Sequence, residues 1–157
     1  MADIAYIISG VLIQVAQALL LLPNATIAEV LSFATPEPID NTPDWLLGSI
    51  RWRGWQIPLV SFSRFAQIAE EDGGLGSKVI VLKALGGDQR HPYFAMLTQG
   101  FPRLVTVTQT ALTTLEEGEG LPRGVLSKVR LNENEAVVPD LAALETQLRA
   151  AMLAAAA

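Results

Sequence analysis

Residues Trp45 to Phe65 read WLLGSIRWRGWQIPLVSFSRF, and this stretch decides the fold class. It holds two runs, Gly48 to Trp52 and Trp55 to Val60, rich in the aromatic and β-branched side chains that suit a pleated surface. Arg53-Gly54 lies between them, and Gly54 tolerates the positive φ that a tight connection needs. The stretch is therefore expected to form a β-hairpin. Alternation along the first run sends Ile50 and Trp52 to one face and Ser49, Arg51 and Arg53 to the other. Two guanidinium groups are thus expected on one exposed face beside the turn. Pro58 has no N–H, so its strand is expected to be an edge there or to carry a bulge.

Outward toward the N-terminus, Ile4 to Ala28 contains no charged residue. Its length matches the roughly 20 apolar residues of a membrane span. Ser9, Gln14 and Gln17 interrupt it, and no Lys or Arg precedes Arg51 to supply a positive flank. Met1-Ala2-Asp3 brings an acid where a signal peptide carries a base. The stretch is read as two strands, 4–16 and 19–23, split at Gln17-Ala18, with a membrane helix as the alternative. Asn24 to Phe33 follows as a further apolar segment. Thr35 to Pro43 is a proline-rich loop, and Asp44 to Leu47 reads as one short helical turn with Asp44 as a possible cap.

Outward toward the C-terminus, residues 67–77 read as a flexible connector between two halves, carrying the charge run Glu70-Glu71-Asp72 as solvated surface. Its glycines do not meet the spacing of a phosphate-binding loop. Lys78 to Leu85, Tyr93 to Leu97 and Leu104 to Thr108 read as strands. Glu116 to Gly120 is an acidic loop. Gly124 to Leu131 and Ala136 to Val138 flank Asn132 to Glu135, a hairpin turn. Asp140 caps a final helix over 140–153, where Leu141, Leu144, Leu148 and Met152 recur at helical spacing.

The 157 residues suit one domain, and half of them are hydrophobic, enough for a core. A net charge of −5 argues against nucleic acid as a partner. Absence of cysteine removes disulfide and thiol chemistry and is compatible with the cytoplasm. The single histidine, His91, has no neighbouring acid or nucleophile in sequence. Neither a metal site nor a catalytic constellation is expected, and no cofactor. What does stand out is that all three tryptophans fall within Trp45 to Trp55. Trp and Arg are enriched in interface hot spots. Trp52 shares Ile50's face and is assigned to the core; Trp55 follows the turn and is the exposed one. Trp55 with Arg51 and Arg53 makes a docking patch for a helical partner bearing acids.

The same stretch resembles the CheW-like family of chemotaxis coupling domains. The resemblance rests on Gly48, Ile50, Arg53, Gly54, Ile57 and Pro58, set against a pattern close to G-x-I-N-L-R-G-x-x-I-P-x-x-D-L-R. The approach through Thr35-Pro36-Glu37-Pro38 and Asn41-Thr42-Pro43 agrees as well. Arg51 and Trp52 depart from the usual Asn-Leu, Ser61 from the usual Asp, and Ser63 from the usual Arg. The spelling RWRGWQIPLVSF is most like ChpC-type members tied to type IV pilus signalling.

The resemblance implies a mostly β fold: two SH3-like five-stranded barrel lobes packed together, with a C-terminal helix, as one domain over 1–157 with a connector near 66–77. It implies a non-enzymatic, cytoplasmic adaptor that couples methyl-accepting chemoreceptors to a CheA-like histidine kinase, with twitching motility as the output. It also implies partner-binding roles for Ile27, Glu29, Gly48, Arg51, Arg53, Gly54 and Trp55, Glu29 taking the place of a functional acid. The residues alone leave two other classes open: a membrane-anchored protein with an N-terminal span, and a β-barrel that binds a small molecule.

Overall fold

A computed structural model describes residues 7–156. Residues 1–6, including the expected strand start at Ile4 and the acid Asp3, lie outside the described residues, as does Ala157. The uncharged N-terminal stretch is a hairpin. Strand β1 (Ile7–Val15) pairs antiparallel with β2 (Ala18–Pro23) from Val15↔Ala18 outward, across a two-residue turn in which Gln17 takes φ 60. The membrane-helix alternative fails here, because the backbone polar groups of this stretch are satisfied by strand pairing. Among the described residues no helix is long and apolar enough to cross a membrane.

A 3-10 turn (Asn24–Thr26) leads into β3 (Ile27–Ser32). The expected hairpin forms from β4 (Leu46–Trp52) and β5 (Trp55–Val60), paired from Trp52↔Trp55 back to Leu46↔Val60. The helical turn expected at Asp44 to Leu47 is instead a β-turn, with Leu46 N–H donating to Pro43 O at 3.1 Å before β4 begins. Pro43 fixes φ at the start of that turn, and the apolar side chains after it go to the strand's two faces. Helix α1 (Phe62–Phe65) follows β5, its amino end capped by Ser61 Oγ, which accepts from Arg64 N–H.

The second half supplies β6 (Lys78–Lys83), β7 (Tyr93–Thr98), β8 (Arg103–Thr108), β9 (Leu112–Glu117), β10 (Val125–Leu131) and β11 (Asn134–Pro139). Helix α2 (Leu141–Ala156) closes the described chain. Asp140 caps it by accepting from Ala143 N–H at 3.1 Å, as the sequence indicates. Strand β9 runs through the start of the expected acidic loop. It is an edge strand with almost no buried face, so its sequence carries no apolar alternation.

The strands form two sheets. One has five strands in the order β3-β6-β7-β5-β4. The other has six, β8-β1-β2-β11-β10-β9, one more than the five expected for each lobe. Each lobe keeps a small core of its own. Trp52, Ile57, Leu59, Val79, Val81, Ala95 and Leu97 fill the five-stranded one, and Leu12, Leu21, Val107, Val129, Leu131 and Ala136 the six-stranded one. The largest core joins the lobes, with Val11, Ile13 and Leu20 from one side and Ile80, Leu82, Phe94 and Met96 from the other. Trp45, Phe62, Phe65 and the buried leucines of α2 complete it. β6 therefore reads as a continuous apolar run because both of its faces are buried.

The connector is not a flexible linker. Glu71 is only 2% exposed, and its carboxylate accepts from Ser61 Oγ at 2.7 Å, from Ala16 N–H at 2.9 Å and from Gln99 Nε2 at 3.1 Å. Ser63 Oγ donates to Ala16 O at 2.6 Å, so the β1–β2 turn is held from two sides. Asp72 pairs with Arg64 at 2.9 Å. The charge run read as solvated surface thus includes a buried carboxylate that ties one lobe to the other. Ser61 and Ser63, two of the departures from the family pattern, lie inside this clamp.

Candidate functional site

The site gathers around the tip of the β4–β5 hairpin. Arg53 (φ 47) and Gly54 (φ 81) both sit in the left-handed region, which is the type I′ geometry that matches the twist of the flanking strands. Directly paired residues share a face, so Trp52 and Trp55 both lie on the side of Ile50 and Ile57. Trp52 is buried, whereas Trp55 at the open end of the lobe is 38% exposed. Tyr93 of β7 packs edge-on against both rings, with centroids 4.8 Å from Trp52 and 6.2 Å from Trp55. The result is an aromatic rim at the mouth of the five-stranded lobe. Lys83 stands directly across the ladder from Tyr93 and is exposed.

Glu29 reaches this rim from the opposite edge of the sheet. Its Oε1 accepts from Trp52 Nε1 at 3.0 Å and forms an ion pair with the Arg53 guanidinium at 2.8 Å. The guanidinium also lies 5.0 Å from the centre of the Trp52 ring. β3 and β4 are the two edge strands of the five-stranded sheet, so this cluster ties edge to edge. A bulge sets it up. Ile27 pairs with Leu82 and Glu29 with Val81, leaving Ala28 as an extra residue. That insertion reverses the facing of everything after it. Ile27 turns to the core between the lobes, and Glu29 turns to the rim.

The expected residues are therefore brought together in part. Glu29, Arg51, Arg53, Gly54 and Trp55 meet at the tip. A shallow crevice of about 350 Å³ is lined by Arg51 through Gln56. Ile27 is half-buried against the shared core. Gly48 is buried under the proline-rich loop, where Glu37 exchanges backbone hydrogen bonds with Ser49 at 2.8 and 2.9 Å. A Cβ on Gly48 would lie 2.3 Å from Glu37 O, so this glycine admits the loop and presents no surface.

The expectation of two guanidinium groups projecting together from one face is corrected. The left-handed turn carries Arg53 back over Trp52, onto Glu29. Arg51 stays on the outer face opposite Gln56, exposed, and among the described residues it has no ion-pair partner. The local edge at Pro58 is as expected, since β7 pairs with β5 only at Leu59 and Val60. Sequence reasoning did not place Tyr93 or Lys83 at the site. Both come from the far half of the chain, and no local pattern connects them to the hairpin.

The arrangement has the groups of a recognition surface: exposed aromatic area, three cations and one carboxylate. Among the described residues no cluster of three or more metal-ligating side chains occurs. The model of the CheW-like domain matches residues 9–148. The chain belongs to the CheW-like family. That match takes in both lobes, from within β1 onward, and the first half of α2. This CheW-like chain thus joins a family of chemotaxis-type scaffolds, which signal by assembly, not by catalysis. Its fold is similar to that of the scaffolding protein TtCheW from Thermoanaerobacter tengcongensis, with a TM-score of 0.71, 16% identity, and coverage of 87% of this chain and 86% of that one. A search of curated proteins finds no significant match.

Proposed function

We propose that this CheW-like chain is an adaptor that couples methyl-accepting chemoreceptors to a CheA-like histidine kinase, with the β4–β5 tip as part of its docking surface. Family membership supports the class. The observation that carries the site is the exposed Trp55, packed beside the buried Trp52 and Tyr93, with Arg53 and Lys83 at the same rim and Arg51 lining the tip crevice from the outer face. A rigidly supported aromatic with cations beside it is the composition of an interface hot spot. Glu29, Arg53 and Gly54 shape the tip; Ile27 and Gly48 act from beneath it, through packing. The spelling of the hairpin supports an output in type IV pilus motility, and a cytoplasmic site of action follows from the kinase and receptor tips this adaptor would join.

The test is titration of the purified chain against the kinase's regulatory domain and a receptor cytoplasmic fragment, both from the same host. Trp55→Ala is expected to weaken binding to at least one of them roughly tenfold or more, the range for loss of a hot-spot aromatic. Binding of both at wild-type strength would remove the tip from the interface.

A further inference from the structure

Arg53 and Lys83 stand at the rim and Arg51 on the outer face of the same tip, where it lines one crevice with Trp55, and the three cations are not equivalent. Arg53 is committed within the chain: its guanidinium is 2.8 Å from Glu29 Oε1 and 5.0 Å from the centre of the Trp52 ring. Glu29 is committed as well, because Trp52 Nε1 donates to the same oxygen at 3.0 Å. That second donor exists only because an indole stands where the family pattern has Leu. Arg51 stands where the pattern has Asn. It is exposed, opposite the neutral Gln56, and without an ion-pair partner among the described residues. Lys83 is exposed beside Tyr93 and is likewise unpaired among them. The only acid of the loop between β6 and β7, Asp88, lies 3.9 Å from Arg90. The hairpin tip and its rim therefore carry more unpaired cations than acids among the described residues, on a chain whose net charge is −5.

We infer that the two departures act together, and that Arg51 is the charge this adaptor offers to its partner. Trp52 locks Glu29 and Arg53 into an internal clamp, and Arg51, aided by Lys83, receives the carboxylates of an acidic protein segment whose apolar side chain covers Trp55. Arg53 is a positioning residue in this arrangement. It holds the rim, and its charge is largely neutralised by Glu29. The inference rests on the adaptor reading and specifies its electrostatics. A carboxylate meeting a free guanidinium makes a charge-assisted, bidentate contact, whereas one meeting Arg53 must compete with an ion pair already made.

The experiment measures affinity for the same receptor fragment and kinase domain, by calorimetry at low and at raised salt. The chains are the wild type, Arg51→Gln, Arg51→Glu, Arg53→Gln, Lys83→Gln, and Arg51→Gln combined with Glu29→Gln, each checked for folding by circular dichroism. Wild-type affinity is expected to fall as salt rises. Arg51→Gln is expected to weaken binding more than Arg53→Gln and to flatten the salt dependence, and Arg51→Glu to weaken it roughly tenfold or more. Adding Glu29→Gln to Arg51→Gln is expected to restore part of the affinity, because it frees Arg53. If the wild type binds and Arg51→Glu binds equally well, or if Arg53→Gln is the variant that flattens the salt dependence, the inference is overturned while the adaptor reading stands. If the wild type binds neither protein, the adaptor reading falls and this inference with it.

Discussion

Glu29 Oε1 accepts from Trp52 Nε1 and pairs ionically with Arg53, its neighbour in the hairpin, and that single atom explains much of the site. Strict alternation through the turn would put Arg53 on the outer face with Arg51. The left-handed backbone at Arg53 breaks the alternation and brings the guanidinium back to the rim. The pair is well exposed, with the Arg53 side chain at 67%, so its net contribution to stability is small. Arg53→Glu is therefore expected to cost about 1 kcal/mol or less in thermal unfolding. It is nonetheless expected to weaken partner binding, because it leaves two carboxylates at the rim proposed to meet an acidic segment. Titration against the kinase and receptor fragments checks the second half. An unfolded Arg53→Glu chain would make the arginine a structural group and would contradict this account.

At the scale of elements, the hairpin was legible and its surroundings were not. Turn chemistry and alternation between Gly48 and Val60 identify both strands, and the pairing follows. The bulge at Ala28 has no such signature, since neither Gly nor Pro marks it, and it alone separates Ile27 from Glu29. Strand β9 is not legible in the sequence, because an exposed edge strand has no apolar face to read. The connector's anchoring is not legible either, because Glu70-Glu71-Asp72 is chemically a surface run, and only the fold brings Ala16, Ser61 and Gln99 around Glu71.

Two predictions belong to this scale. Glu71→Ala strips acceptors from buried donors and is expected to lower stability by roughly 2 kcal/mol or more, read from the urea midpoint. A midpoint equal to wild type would show that the clamp holds nothing. Gly48→Ala places a Cβ against Glu37 O at a φ of 147, and is expected to cost on the order of 2 kcal/mol or to displace the proline-rich loop. Unchanged stability, with unchanged protection of the Ser49 amide against hydrogen exchange, would contradict the close approach.

At the scale of the whole molecule, the largest core belongs to neither lobe. It is shared between them and sealed by α2, with Glu145 accepting from Leu85 and Gly86 N–H at 2.7 and 3.0 Å. One lobe cannot open without exposing the other's inner face, so the two are expected to unfold in a single transition. Far-UV circular dichroism and tryptophan fluorescence should then give coincident denaturation curves. Trp45 reports on the shared core, and Trp52 and Trp55 on the five-stranded lobe. A fluorescence change that precedes loss of secondary structure would show that the lobes are separable.

The central claim is that this scaffold carries signal between a receptor and a kinase by binding alone. The most direct test is the autophosphorylation rate of the host's CheA-like kinase, measured with receptor-bearing membranes in the presence and absence of the purified chain. The account predicts that receptor control of the kinase appears only when the chain is added, and that it is lost with Arg51→Glu or Trp55→Ala, each checked for folding by circular dichroism. A kinase rate that responds to receptor equally well without the chain, or that is indifferent to its addition, would contradict it.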